Sequence, residues 1–346
     1  LNKSILITGG TGSFGRNFYE RLLLNHKPSK IIIFSRDEYK QYQMQNYFNS
    51  KKYLSKQKNK ILIRYFIGDV RDKERLNLAL KDEVDIVIHA AALKQVPTCE
   101  YNPFEAVKTN ILGAQNLIEV CMSSNVKKVI ALSTDKASSP VNLYGATKLT
   151  SDKLFIAANN YKGKKDIKFS VVRYGNVMGS RGSIIPMLIS KINENKIPIT
   201  DLKMTRFNIT LDESINFVVF CLQSMWGGEL FVKKLPSYKV LDVFKAICPK
   251  SKYEIIGVRP GEKLHEEMIS SADSSSTIEF SKYFVVMPNF QQINWDKKKF
   301  ILNSNKSPGK YVKEGFTYNS LDNKNFLSIT QIVSLIKLNK HTFCQD

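Results

Sequence analysis

Short apolar runs alternate along the chain with longer stretches of helical periodicity. The runs at 4–7, 30–34, 61–67, 84–88, 129–132 and 167–173 read as six strands, because near-continuous apolar segments of this length fit strands buried on both faces. Helical patterning fills 16–24, 73–80, 103–123 and 144–161 between them. Strands alternating with helices at this spacing predict an α/β fold built on a doubly wound parallel sheet.

Beyond about residue 179 the alternation stops. Another helix opens at 181–186, 197–201 and 204–207 read as short strands or loops, and 259–266 reads as a charged turn before a helix. A last apolar helix lies near 327–338. The expected division is a Rossmann nucleotide-binding domain at 1–179, a smaller C-terminal substrate-binding lobe at 180–290 and an appendage at 291–346. No repeat of solenoid type is present in the sequence.

The turns between strands and helices carry the chemistry. The first strand runs into TGGTGSFG at 8–15 and then a helix, the context in which a glycine motif signifies dinucleotide binding. Gly9 permits the tight turn, Gly12 lets backbone approach a pyrophosphate, and Gly15 lets helix pack on strand. Thr11, Ser13 and Phe14 complete a loop whose N–H groups face phosphates. After the second strand, Ser35 and Arg36, with Lys40, suit a ribose 2′-phosphate and favour NADP, whereas Asp37 either caps the next helix or makes NAD usable. Asp69, beside Val70, is placed to reach the adenine. Small residues at Ala90 and Ala91 let the cofactor lie close to the fourth strand's end, and Lys94 extends toward the substrate. Asn110 is a further cofactor-side candidate, while His89, closing an apolar run, reads as a core histidine.

The fifth strand ends in Ser133, Thr134, Asp135 and Lys136, and a helix carrying Tyr144 and Lys148 follows. Tyr144 and Lys148 share one helix face, and the lysine's charge is expected to lower the phenol pKa until tyrosine works as a base. Strand C-termini are where open α/β sheets place their sites.

Composition narrows the alternatives. The chain has 346 residues, 43% hydrophobic, ample for a sizeable core. A formal net charge of +21 would suit an anionic partner, but the lysines are spread out, with local excess only at 51–60 and 297–299. Solvated faces that attract an anionic nucleotide therefore fit better than nucleic acid. Five scattered cysteines (Cys99, Cys121, Cys221, Cys248, Cys344) form no CxxC pair, so neither a disulfide framework nor a metal site is indicated. No segment has the length and apolarity of a membrane span, and a cytoplasmic protein is expected.

With TGGTGSFG and YGATK at 144–148 in place, the sequence resembles the extended short-chain dehydrogenase/reductases. More narrowly it is similar to the inverting UDP-N-acetylglucosamine 4,6-dehydratases that start pseudaminic acid synthesis for flagellin and surface-glycan modification. HAAALKQVP at 89–97, EYNPFEAVKTN at 100–110, LSTDKA at 132–137, NLYGATKL at 142–149, RYGNV at 173–177, MTRF at 204–207 and RPGEKLHE at 259–266 carry that match. The resemblance implies tightly held NADP, recycled in each turnover, a UDP-N-acetylglucosamine substrate and a homo-oligomer, from dimer to hexamer. It assigns Asp135 and Lys136 as the acid and base for carbons 6 and 5, with Thr134 hydrogen-bonded to the C4 oxygen. Lys136 is expected to be neutral through desolvation and nearby cations. Arg206 and Arg259 match positions that hold the UDP diphosphate, and Asn176, Arg181, Thr200, Met204 and Glu262 join the substrate side with Lys94. Met204 and Phe207 also suit plain packing. Two alternatives remain open: a UDP-sugar 4-epimerase, in which Asp135 and Lys136 are only structural, and a non-catalytic NADP-sensing regulator.

Overall fold

A computed structural model describes residues 2–50, 61–81, 83–180, 182–288, 295–303, 308–340 and 343. Arg181 and Cys344 fall outside the described residues.

Six parallel strands form the centre: β1 (Ser4–Thr8), β2 (Lys30–Ser35), β3 (Leu62–Ile67), β4 (Ile86–His89), β5 (Lys128–Thr134) and β6 (Lys168–Tyr174). Their spatial order is β3-β2-β1-β4-β5-β6. Ile5, Leu6, Ile7, Ile31, Ile32, Ile33, Val87 and Val129 are fully buried, as expected where helices cover both faces of a parallel sheet. The order reverses between β1 and β4, and such a switch point opens a crevice beyond the strands' C-terminal ends. The glycine loop after β1, the small residues after β4 and the Thr134 end of β5 all meet there.

Past β6 the sheet gains Leu230–Lys233 in parallel, then Tyr283–Val286, Thr277–Glu279 and Lys310–Tyr311 antiparallel, giving ten strands. A second apolar cluster includes Ile185, Leu188, Ile197, Tyr238, Phe244 and Ile332, the last from the helix Ile329–Asn339. The expected boundaries at 179 and 290 therefore cut across both packing units: part of 180–290 completes the large sheet, and the C-terminal helix belongs to the smaller lobe.

One local expectation is refined and one corrected. Residues 103–123 run as the expected long helix, with a π-helical turn at Lys108–Leu112 between Pro103–Val107 and Gly113–Ser123. After 259–266 comes the strand Glu267–Ile269, not a helix. It pairs antiparallel with Tyr318–Asn319, and this long-range ladder takes up backbone groups that a helix would have satisfied locally.

Candidate active site

The glycine loop is shaped by what its residues lack. Gly9 has φ +66, and a Cβ there would lie 2.8 Å from the Ala91 nitrogen, so no other residue fits without moving β4's exit. A Cβ on Gly15 would come 2.5 Å from the Gly10 oxygen, closing the helix-on-turn contact. At Gly12 the nearest atom would be the Gly9 oxygen at 3.2 Å, so this flank stays open. The helix Ser13–Arg21 starts there with no side-chain cap, leaving N–H groups directed at the crevice. These features fit a dinucleotide pyrophosphate.

A cavity of about 740 Å³ runs from this loop to the second lobe. Gly9, Thr11, Gly12, Ser13, Phe14, Gly15, Ser35, Arg36, Lys40, Asp69, Val70, Ala90, Ala91 and Lys94 line one end. Thr134, Asp135, Lys136, Tyr144 and Lys148 line the middle, and Asn176, Thr200, Met204, Arg206, Arg259 and Glu262 the other end. Asn110 is not among the lining residues. Its amide bonds the Leu93 backbone on both sides, at 2.8 and 2.9 Å, and Thr147 Oγ1 at 3.0 Å. It thus latches the turn after β4 to the helix Leu143–Tyr161 and supports the site from behind. His89 is a core residue: 1% exposed, with Nδ1 2.8 Å from Thr8 Oγ1 and a pKa driven down to about 3 by burial and Lys148.

At the adenosine end, Asp37 caps the helix Glu38–Ser50. Its Oδ1 accepts from the Lys40 N–H at 3.0 Å and its Oδ2 lies 3.0 Å from Lys40 Nζ, interactions that hold its pKa below the ordinary value. Arg36 is half exposed, 3.9 Å from Asp69 Oδ2. Asp69 in turn is gripped by Arg71 at 2.7 Å, which outweighs burial and keeps the carboxylate ionised.

The middle of the cavity is a dense charged cluster. Thr134 Oγ1 donates to Asp135 Oδ1 at 3.0 Å, and Lys136 Nζ donates to Asp135 Oδ1 at 3.3 Å and to Glu266 Oε1 at 2.8 Å. Asp135 is fully buried, and burial raises its pKa, aided by Glu266 and opposed by Lys136. For Lys136, burial alone would lower the pKa, but Asp135 and Glu266 together outweigh it and hold the group above its ordinary value. The expected neutral amine is thus not the resting state: two carboxylates, not the expected cations, dominate its surroundings.

The expectation for Tyr144 is corrected likewise. Burial pushes its pKa up to about 12, and the groups opposing this are Lys136 and the Thr134 hydrogen bond. Lys148 is only 3% exposed, and burial lowers its own pKa against the pull of Asp152. Asp152 sits one further turn along the same helix, accepting from Ser133 Oγ at 2.6 Å and Arg173 Nη2 at 3.1 Å. It joins β5, β6 and the Tyr144 helix beneath the site.

Sequence reasoning left out Glu266, Asp152, Arg173, Asn142, Lys263 and Tyr238. Asp152 was legible from its helical spacing to Lys148, and Glu266 and Arg173 stand inside the quoted motifs. Asn142 caps the Tyr144 helix through the Gly145 N–H at 2.7 Å and donates to the Gly261 oxygen at 2.7 Å. With Lys263 Nζ donating to the Ser138 oxygen at 2.6 Å, it ties 259–266 onto the turn after β5. Arg206 donates to the Thr205 and Leu264 oxygens at 2.8 and 3.0 Å, with Nε 3.7 Å from Glu266. Arg259 is half exposed, 3.9 Å from Glu262.

Known proteins resemble this chain. The family described as polysaccharide biosynthesis protein matches residues 5–288. A Campylobacter jejuni protein named UDP-N-acetylglucosamine 4,6-dehydratase (inverting) is 52% identical over 336 residues, covering 96% of this chain and 97% of its own. A Rickettsia bellii protein named UDP-glucose 4-epimerase is 41% identical, with 86% of each chain covered. The crystal structure of Pen from Bacillus thuringiensis superposes with a TM-score of 0.84 at 38% identity over 98% of both chains.

Proposed function

The chain belongs to the polysaccharide biosynthesis protein family, within the extended short-chain dehydrogenase/reductases, and on that premise we propose that it is an inverting UDP-N-acetylglucosamine 4,6-dehydratase. The observation that carries the proposal is the placing of Asp135 and Lys136 beside Tyr144 and Thr134 in one cavity. Oxidising and reducing a sugar carbon needs only the tyrosine and lysine pair. Eliminating water needs, in addition, an acid and a base.

A nicotinamide dinucleotide bound at the glycine loop would supply hydride acceptance from C4 and hydride return to C6. With a cationic nicotinamide beside it, which would offset the burial that raises its pKa, Tyr144 would take the proton of the C4 hydroxyl, steadied by Thr134 on the same oxygen. The C4 ketone acidifies the C5 proton, which Lys136 removes. Asp135, whose burial favours the protonated form, donates to the departing C6 hydroxyl. Arg206 and Arg259 hold the UDP diphosphate through charge-assisted hydrogen bonds. Reprotonation of C5 on its other face gives the inverted product. The same proposal places the enzyme at the first step of pseudaminic acid synthesis for flagellin or surface-glycan modification, as a cytoplasmic homo-oligomer. Among the described residues no helix is long and apolar enough to cross a membrane.

Incubating the purified protein with UDP-N-acetylglucosamine, without added cofactor, is expected to yield a product lighter by one water, a C5-inverted 4-keto-6-deoxy sugar by NMR. The epimerase reading, favoured by the 41% identical relative, expects an unchanged mass and inversion at C4. No reaction even with added cofactor would refute both.

The finer proposal is NADP rather than NAD. Asp37 is engaged by Lys40, while Ser35, Arg36 and Lys40 line the cavity at the 2′-position expected past β2. Losing a hydrogen bond to a charged group costs about 1.5–3 kcal/mol. Arg36→Ala should therefore weaken NADP binding roughly ten- to a hundredfold and leave NAD binding nearly unchanged, as measured by calorimetric titration of stripped protein. Equal weakening of both would refute the assignment.

A further inference from the structure

Lys136 meets two carboxylates, and the elimination uses only Asp135. Glu266 is the nearer to Nζ, at 2.8 Å against 3.3 Å, and is 2% exposed. Its other oxygen, Oε2, has no hydrogen-bond partner among the described residues. Its backbone is clamped: the Glu266 N–H donates to Ser320 Oγ at 2.9 Å and its carbonyl accepts from the Ser320 N–H at 2.8 Å. Ser320 is itself fully buried and 2.7 Å from Thr205 Oγ1. A carboxylate fixed this firmly out of water is costly unless it is well paired, and among the described residues the cation hydrogen-bonded to it is Lys136.

Resting on the dehydratase reading, we propose that Glu266 is the proton acceptor of Lys136, taking one ammonium proton across their contact when substrate seals the site, so that a neutral amine faces C5. The Nζ–H bond breaks with its electron pair left on nitrogen, and an O–H bond forms on Glu266. The amine then removes the C5 proton and becomes ammonium again. C5 regains a proton on its other face from a water molecule, whose O–H bond breaks, and the count closes when the site reopens and the Glu266 proton neutralises the hydroxide that water leaves.

The surroundings make this transfer dependent on substrate. Asp135 and Tyr144 face the pair from the β5 turn and the following helix, Arg206 and Tyr238 from the second lobe, and Lys263 from the 259–266 loop. At rest, burial opposes the charge on Glu266, but Lys136, Arg206 and Lys263 keep it ionised. A diphosphate that engages Arg206 weakens that cation's hold on Glu266. Expulsion of water then favours the neutral pair over the ion pair. Glu266 acts through Lys136 and touches no reacting carbon.

The test is kcat against pH for full-length wild type, Glu266→Gln and Glu266→Asp with UDP-N-acetylglucosamine. Wild type is expected to be flat around neutrality. E266Q keeps an oxygen to receive Nζ but no group to take its proton, so kcat should fall about a hundredfold at neutral pH and climb with unit slope as bulk water deprotonates Lys136. E266D should be slower yet flat. An E266Q enzyme with wild-type kcat at neutral pH, a loss equal at every pH, or a rising limb in E266D would each overturn the inference. A wild-type chain that forms no dehydrated product at any pH overturns the dehydratase reading and this inference with it.

Discussion

Lys136→Ala is expected to abolish water loss while sparing the cofactor. General acid–base groups contribute about 10²–10⁴-fold in rate, so formation of the 4-keto product should drop by that range. The glycine loop, whose shape depends on Gly9, Ala90, Ala91 and Gly15, is untouched. Cofactor content after purification and nicotinamide fluorescence should match wild type. The variant also strips Asp135 and Glu266 of the ammonium lying between them. Both are buried, so at least one takes up a proton to avoid facing a like charge. Solvent deuterium entering C5 is the companion measurement: wild type is expected to exchange, and K136A is not. Retention of more than a tenth of the wild-type rate would remove Lys136 as the essential base.

Asp152→Ala has the largest expected effect on stability. Asp152 and Arg173 are each 2% exposed at their side chains and 3.1 Å apart, and Asp152 also holds Ser133 Oγ. Removing one partner strands a buried guanidinium, which costs about 3–5 kcal/mol. Urea unfolding should show that loss as a lower midpoint with an unchanged slope. The double variant Asp152→Leu, Arg173→Met should recover much of it, because a packed apolar pair has no charge to desolvate. A loss below about 1 kcal/mol in D152A would contradict a buried, uncompensated charge. Activity should fall as well. Asp152 is the carboxylate that sustains the charge on Lys148 against burial, and without it the amine beneath Tyr144 moves further toward neutrality.

Much of this was legible in the sequence because it is local. Six apolar runs gave the six parallel strands to within one or two residues, since a strand buried on both faces cannot hide its composition. The glycine spacing gave the phosphate cradle, because the required backbone torsion and close approaches belong to Gly9 and Gly15 themselves. Tyr144 and Lys148 fell on one face because helical periodicity is fixed. The fold class follows from such rules.

What periodicity could not supply is which distant segments meet. The placement of 230–233 and 277–286 in the large sheet, and of 329–339 in the smaller lobe, depends on long-range pairing that no local pattern encodes. The charge states were decided the same way. The sequence places Lys136 next to Asp135, but Glu266 comes from a remote segment, held by a backbone ladder to Ser320, and it reverses the expected protonation of the lysine. Tyr144 likewise reads as an activated phenol until burial is counted. The sequence by itself determined the strands and the glycine loop, both set by steric and periodic constraints within a few residues. Only the tertiary structure decided burial, partners and proton positions, because desolvation and Coulomb interactions depend on distances through space and not along the chain.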